Sequence, residues 1–481
     1  MNRREFIGAA LAGAALGVRA ALGVRAAAGE EIAAAEPRDA GNGRKWYKGM
    51  LHSHTFLSDG RALPEQAVAA YKKAGYNFFA ITDHTRAISD GETWRYVQPE
   101  KGWPHSVTSE QFANARRRFP GTLKYKLMPD GTPLVRFTPF DELQRAFDES
   151  GKFMVLEGVE VTRQLATPLV KGHVHMNYVN LSGLIPSCRG RGLIETFSGK
   201  DWDVARIIRE TREEVEKYAA AAGNPPYLLM LNHPQWTVMP VQPEHLIAED
   251  RIRHFEVVNY GETCAAPAPV DCGGWENDRF WDIVNAFRRR QGKQLLFGVG
   301  SDDTHRYPDS GLPEEKVTSA FGHAGVVVRA TELTPAAIFG AMERGDYYAT
   351  DGFVTIDDIA FERGTLRVRA IADPDDTLSI RFIVSKRGFD PSFTTHTVTF
   401  ASGDGAGTQR KVNVYGDTRI GQSVKLVQGK PGEPVEASYA MAEDDLYVRA
   451  RVESTKTTLN RLAGRKSFCP PCRTAWTQPY C

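Results

Sequence analysis

The stretch Leu51–Thr85, LHSHTFLSDGRALPEQAVAAYKKAGYNFFAITDHT, decides how the rest of the chain is read. His52 and His54 stand two apart, so on an extended strand both imidazoles point to the same side. Asp59 follows in a turn, Ser58-Asp59-Gly60. The pattern predicts a helix from about Pro64 to Ala74, closed by Gly75. An apolar strand from Phe78 to Thr82 then delivers Asp83 and His84 at its C-terminal end. This is a strand, helix, strand unit with donors at the end of each strand, which is how an α/β barrel presents side chains at the mouth formed by its strand ends. A lone histidine is more often an ordinary polar residue than a ligand. Here three of the twelve histidines fall at two strand ends, each beside Ser or Asp.

Further along, the same arrangement recurs. Phe153 to Thr162 reads as a strand with Glu157 and Glu160, three apart and therefore on opposite faces, so only one of them reaches a common site. Gly172 to Asn180 alternates again and sets His173, His175 and Asn177 on one face, where either histidine is a candidate ligand. Tyr227 to Asn232 is an apolar strand ending in His233-Pro234, where proline halts the strand. Phe255 to Tyr260 is another strand, whose Glu256 and Asn259 are expected as hydrogen-bond partners at the mouth rather than ligands. Gln294 to Gly300 leads into Ser301-Asp302-Asp303-Thr304-His305, with Asp303 and His305 on one side. His245 and His254 lack such context and are expected to be structural.

HxH, SDG, a helix, TDH, then Gly158-Val159-Glu160-Val161-Thr162, His175-Met-Asn177, Asn232-His233-Pro234 and the closing Asp303-x-His305 together resemble the polymerase and histidinol phosphatase (PHP) superfamily of metallohydrolases. The resemblance spans roughly Trp46 to Gly352 and implies a distorted (β/α)7 barrel. It selects Glu160 over Glu157 and prefers His175, with His173 beside it as a ligand or proton carrier. The implied ligands are His52, His54, Asp59, His84, Glu160, His175, His233, Asp303 and His305. Asp59 or Asp302 would orient a water or protonate a leaving group, and Arg163, Lys171 or Arg306 would meet an anionic substrate. So many N and O donors exceed the needs of one tetrahedral zinc, so two or three divalent ions are implied. A donor set without thiolates suits zinc, manganese or iron. The activity implied is phosphomonoester or phosphodiester hydrolysis of a small-molecule substrate. The nearest likeness is to the exported, carbamate-hydrolase-like branch, which makes carbamate or ester cleavage the alternative. A non-catalytic exported metal-carrying protein is a third reading.

Composition agrees with an enzyme of several parts. The chain has 481 residues, 42% apolar and 10% aromatic, enough for real cores. Sixty basic against 59 acidic residues give no field for gathering nucleic acid. Residues 1–28 read as a twin-arginine signal, Arg3-Arg4 ahead of an Ala/Gly/Leu-rich run too short to span a bilayer. Export through the twin-arginine machinery, to the periplasm or beyond, is therefore expected, with no stable membrane insertion. A linker occupies 29–45, the catalytic part 46–352 with an insertion at 86–151, and short alternating strands from 353 to 481 predict an all-β sandwich. Among the six cysteines only one CxxC occurs, Cys469-Pro-Pro-Cys472, so disulfides are expected rather than a zinc site.

Overall fold

The computed structural model describes residues 32–84, 93–98, 106–166, 171–181, 204–234, 241–260, 277–311, 321–399, 409–457 and 472–481. The expected signal segment and Cys188, Cys264, Cys272 and Cys469 lie outside them, and Cys472 and Cys481 are not joined to each other. No helix among the described residues is long and apolar enough to cross a membrane.

The fold is mixed α/β around one large sheet. Seven of its strands lie in the order Phe297–Ser301, His254–Asn259, Leu228–Leu231, Lys171–Val179, Met154–Ala166, Phe78–Ile81, Lys45–Met50. Six run in one direction. The Lys171–Val179 strand is antiparallel to both its neighbours. Because the other six share a direction, their C-terminal ends gather at one end of the sheet. The reversed strand brings its beginning to that same end, which is why His173 and His175 come early in their strand and the other donors come late. The outer members of the run meet there too, through a Ser53–Thr304 bridge and the His54 amide donating to the Thr304 carbonyl at 2.9 Å.

Alternation along the strands sorts the side chains into two populations. Phe79 and Ile81 pack outward against Val68 and Tyr71 of the Pro64–Lys73 helix. Phe78, Ala80, Met154, Leu156, Leu228, Met230, Phe297 and Val299 form a separate apolar cluster on the other face. Glu160 has the parity of Met154 and Leu156 and so extends that second face toward the strand ends. Gly300 allows the closing strand to lie against its neighbour, since a Cβ there would come within 2.5 Å of the Gly325 carbonyl oxygen.

Beyond Lys45–Met50 the sheet does not stop. Ala324–Ala330, Tyr347–Asp351, Cys472–Thr477, Asp445–Thr457, Leu378–Lys386 and Gln422–Gln428 follow in an unbroken antiparallel ladder. A second sheet, Thr355–Glu362, Thr365–Ile371 and Val435–Ala440, packs on this extension through Ile356, Leu366 and Val368 against Ile380, Phe382, Val448 and Ala450. The C-terminal region is thus strand-rich and layered, but one of its layers continues the large sheet. The described part of the insertion folds as a four-stranded sheet with helices Ser109–Arg118 and Phe140–Phe147. Within it, Lys124–Leu127 and Pro133–Arg136 pair as a hairpin around a turn at residues 129–132.

Candidate metal centre

His52 and His54 leave the Lys45–Met50 strand side by side and are fully buried. The loop after them is held by Asp83, whose carboxylate accepts from the Thr55 amide at 2.8 Å, the Thr55 hydroxyl at 2.7 Å and the Ser58 amide at 3.0 Å. Gly60 completes the turn because a Cβ there would collide with the His54 backbone. The chain doubles back, and Asp59 faces His305 at 3.3 Å, with His54 and His84 each at 3.6 Å. Asp83, delivered with His84, therefore shapes the loop instead of joining the donors.

Four groups of imidazoles and carboxylates form, in each of which the donor atoms lie within 4.8 Å of one another. In one, Nε2 of His52 is 3.2 Å from Nε2 of His54 and 3.3 Å from Asp303 Oδ1, while Glu160 Oε2, outside this group, is also 3.3 Å from His52. Nε2 of His54 is 3.2 Å from Glu160 Oε2 and 3.0 Å from Asp303 Oδ1. Neighbouring N and O donors around a tetrahedral zinc lie about 3.3–3.4 Å apart, and the His52, His54 and Asp303 atoms are spaced close to one face of such a site. A second group joins Glu160 to His84 and His175, each 2.9 Å away. A third includes His233, 3.3 Å from Glu160 Oε1. Asp59, His54, His84 and His305 make the fourth. Glu160 belongs to two of the groups and Asp303 to another.

Electrostatics point the same way. Burial pushes the His52 ring toward neutrality, but Asp303, Glu160 and Glu256 outweigh it and raise its pKa well above the usual value. His84 is raised likewise, against burial, by Glu160 and Asp59, and His305 to about 9 by Asp59 and Asp303. Burial opposes ionisation of Glu160 and Asp303, yet the surrounding rings hold both well below the carboxylate range. Burial dominates at His175, which falls to about 4. The pocket calls for positive charge, yet two Nε2 atoms 3.2 Å apart cannot both carry protons toward each other. Divalent cations resolve both demands, so these residues fit the implied metals.

A ring of partners orients the donors. Glu256 lies 2.7 Å from His52 Nδ1 and accepts at 2.7 Å from both the His233 amide and Asn259 Nδ2. Asn232 donates to Glu160 at 2.7 Å and to Asn177 at 2.8 Å. Thr162, across the ladder from His175, is 2.8 Å from His84 Nδ1. Asp303, at φ 51°, and His233, at φ 20°, turn the chain sharply at their strand ends. Asn232 and Thr162 stand in the quoted motifs, but the sequence assigns neither an orienting role. The parity of Thr162 with Glu160 was the available signal.

Two expected roles find different geometry. Asp302 turns away from the donors. Its oxygens accept from Tyr71 at 2.8 Å and from the amides of Gly322, His323 and Ala324 at 2.6, 3.1 and 2.6 Å. Burial pushes its carboxyl up to about 7 against those bonds. It anchors a backbone turn rather than a water. Arg163 has the opposite parity to Glu160 and reaches Glu214 at 2.6 Å on the Val204–Ala221 helix, away from the mouth. His173 is half-buried, its ring perpendicular to that of His175 at 5.7 Å, and it belongs to none of the four groups. Arg306 is half-buried beside His305, and the Lys171 side chain lies outside the description. His254 is buried and structural, its pKa lowered to about 3 by burial and by Arg253.

No family model and no curated protein sequence matches the chain. Among solved structures, it has weak likeness to a two-domain protein from Bacteroides vulgatus ATCC 8482 described as containing a predicted PHP-like metal-dependent phosphoesterase. The TM-score is 0.35 at 14% identity, covering 89% of this chain and 94% of that one.

Proposed function

We propose that this chain is a metal-dependent hydrolase of the PHP type, a phosphoesterase acting on small phosphomonoesters or phosphodiesters from a distorted (β/α)7 barrel. The observation that carries the reading is the gathering of His52, His54, Asp59, His84, Glu160, His175, His233, Asp303 and His305, from strand ends some 250 positions apart, into four groups of metal-binding geometry. Two or three zinc, manganese or iron ions would be held there. Bound in pairs, such ions bring the pKa of a water to near neutrality and take up charge on the substrate oxygen in the transition state.

The protein's own share is placement. Asp59, with 40% of its side chain exposed, is the donor open to solvent and to an incoming substrate. Burial raises its carboxyl, but His305 and His84 outweigh that and keep it ionised, suited to accepting a hydrogen bond from water. Arg306 offers charge to an anionic oxygen at the same rim. Because Arg163 is taken up by Glu214, the phosphate cradle is leaner than the sequence implied, and that keeps carbamate or ester cleavage as the second reading. The Arg3-Arg4 segment places this activity outside the cytoplasm in the proposal.

Elemental analysis of purified protein, with rates on aryl phosphate mono- and diesters, aryl carbamates and carboxylic esters, tests it. Two or three metals per chain and phosphoester turnover are expected. Turnover confined to carbamates or esters would reassign the substrate class, and protein that binds no metal would end the hydrolase reading.

A further inference from the structure

We propose that the C-terminal region is part of the metal centre's machinery, with Gln478 and Arg449 as positioning residues that hold the strands carrying Asp303, Glu256 and His233. The inference rests on the metallohydrolase reading above and gives the strand-rich C-terminal region a task within it.

Among the described residues, Phe297–Ser301 is the last strand of the sheet, with a hydrogen-bonded neighbour on one side only. An edge strand leaves alternate amides and carbonyls bare, and a buried bare pair is costly. Gln478, fully buried, fills that place: its Oε1 accepts from the Gly298 amide at 2.8 Å and its Nε2 donates to the Gly298 carbonyl at 2.9 Å. The side-chain amide copies a neighbouring strand for one residue, five positions before Asp303. Arg449, also fully buried, acts one step further back, on the helix after the next strand. It forks onto Asp282 at 2.8 and 2.6 Å and reaches Asp278 at 2.8 Å, on the Asn277–Arg290 helix that follows the Glu256 strand. Tyr447 adds a bond to Asp282 at 2.6 Å, and Trp476 one to Asp278 at 3.1 Å.

A third grip is laid on the element after His233. In the first turn of the Pro243–Ala248 helix, Glu244 accepts from Asn413 at 2.8 Å and from Tyr415 at 2.6 Å, and Gln242 donates to the Lys411 carbonyl at 2.8 Å. Three neighbouring strands at the open side of the sheet are thus tied to the C-terminal region, Phe297–Ser301 directly and the other two through the helices that follow them. Metal sites tolerate little error in donor position, so loosening one grip should be felt as weaker metal binding before it is felt as unfolding.

The test is competition for Zn2+ between full-length protein and a chelating dye, with melting temperature read in parallel, for Gln478→Met, Arg449→Lys and Asp376→Asn. Asp376 is an equally buried carboxylate bonded to Ser454 and Thr455 elsewhere in the C-terminal sheet, and serves as the control. Gln478→Met and Arg449→Lys are expected to bind zinc about tenfold more weakly, while Asp376→Asn melts earlier and binds zinc as the parent does. Unchanged zinc affinity in Gln478→Met, or an equal loss in Asp376→Asn, overturns the proposal. If Gln478→Met does not fold, Arg449→Lys against the same control decides. A parent protein without zinc affinity would defeat the hydrolase reading itself, an outcome distinct from a parent that binds zinc and a Gln478→Met variant that binds it equally.

Discussion

Glu256 shows how much one buried side chain arranges: its oxygens meet His52 Nδ1, the His233 amide and Asn259 at 2.7 Å each. Its charge fixes which nitrogen of His52 is left for a cation. Glu256→Gln keeps the shape and removes the charge, so zinc affinity measured by dye competition should fall about 10- to 100-fold with little change in melting temperature. An unaltered affinity would show that the carboxylate serves packing alone. His254, at the other end of the same strand, makes a pH prediction. Its folded pKa, about 3, lies below the ordinary 6.5 because burial and Arg253 disfavour the cation. Its contribution to stability is then fully present above pH 6.5 and is lost as pH falls toward 3, by up to about 1.4 kcal/mol per pH unit. Urea unfolding of the parent and His254→Gln from pH 7 to 4.5 should show a shallower fall for the variant, and parallel curves would refute the assignment.

Strand periodicity made most of the centre legible. Phe78 to Thr82 ending in Asp83-His84, and the apolar runs ending at Asn232-His233 and Asp302-Asp303, carried their register openly, because apolar strands bounded by turn residues fix which positions lie at the mouth. The same period, applied strictly, would have removed Arg163, which is odd relative to Glu160. Asp302 was beyond reach: its partners include three backbone amides at 322–324, and sequence does not announce which amides a carboxylate will meet. Nor did it announce that Lys171–Val179 runs backward, since alternation is blind to direction. Gly300 is where element packing can be tested. An added methyl would press on the Gly325 carbonyl, backbone against backbone, with no flexible side chain to yield. Gly300→Ala should cost about 1–3 kcal/mol in urea unfolding and also weaken zinc binding, since Asp303 lies three residues on. A loss of stability with intact zinc affinity would mean that the strand end adjusts independently of its body.

At the scale of the molecule, the change of texture near Phe353 suggests a module that stands alone, and the ladder argues otherwise. Tyr347–Asp351 pairs on one side with Ala324–Ala330 and on the other with Cys472–Thr477, so the two halves of the chain share one sheet. Arg449 is buried against Asp278 and Asp282 of a helix from the part of the chain before residue 353. Breaking a buried pair by removing one partner costs about 3–5 kcal/mol, because the abandoned carboxylates lose the charge that offsets their burial. A cut at residue 352 would do this and also bare the Tyr347–Asp351 strand as an aggregation-prone edge. Full-length protein should therefore melt in a single calorimetric transition whose van't Hoff and calorimetric enthalpies agree, and a chain ending at 352 should be recovered aggregated or unable to bind zinc. Asp303→Ala, which removes a proposed metal donor without touching the ladder, should lose activity and keep the single transition. Two resolved transitions, or a soluble zinc-binding fragment ending at 352, would mean that the shared sheet does not couple the halves.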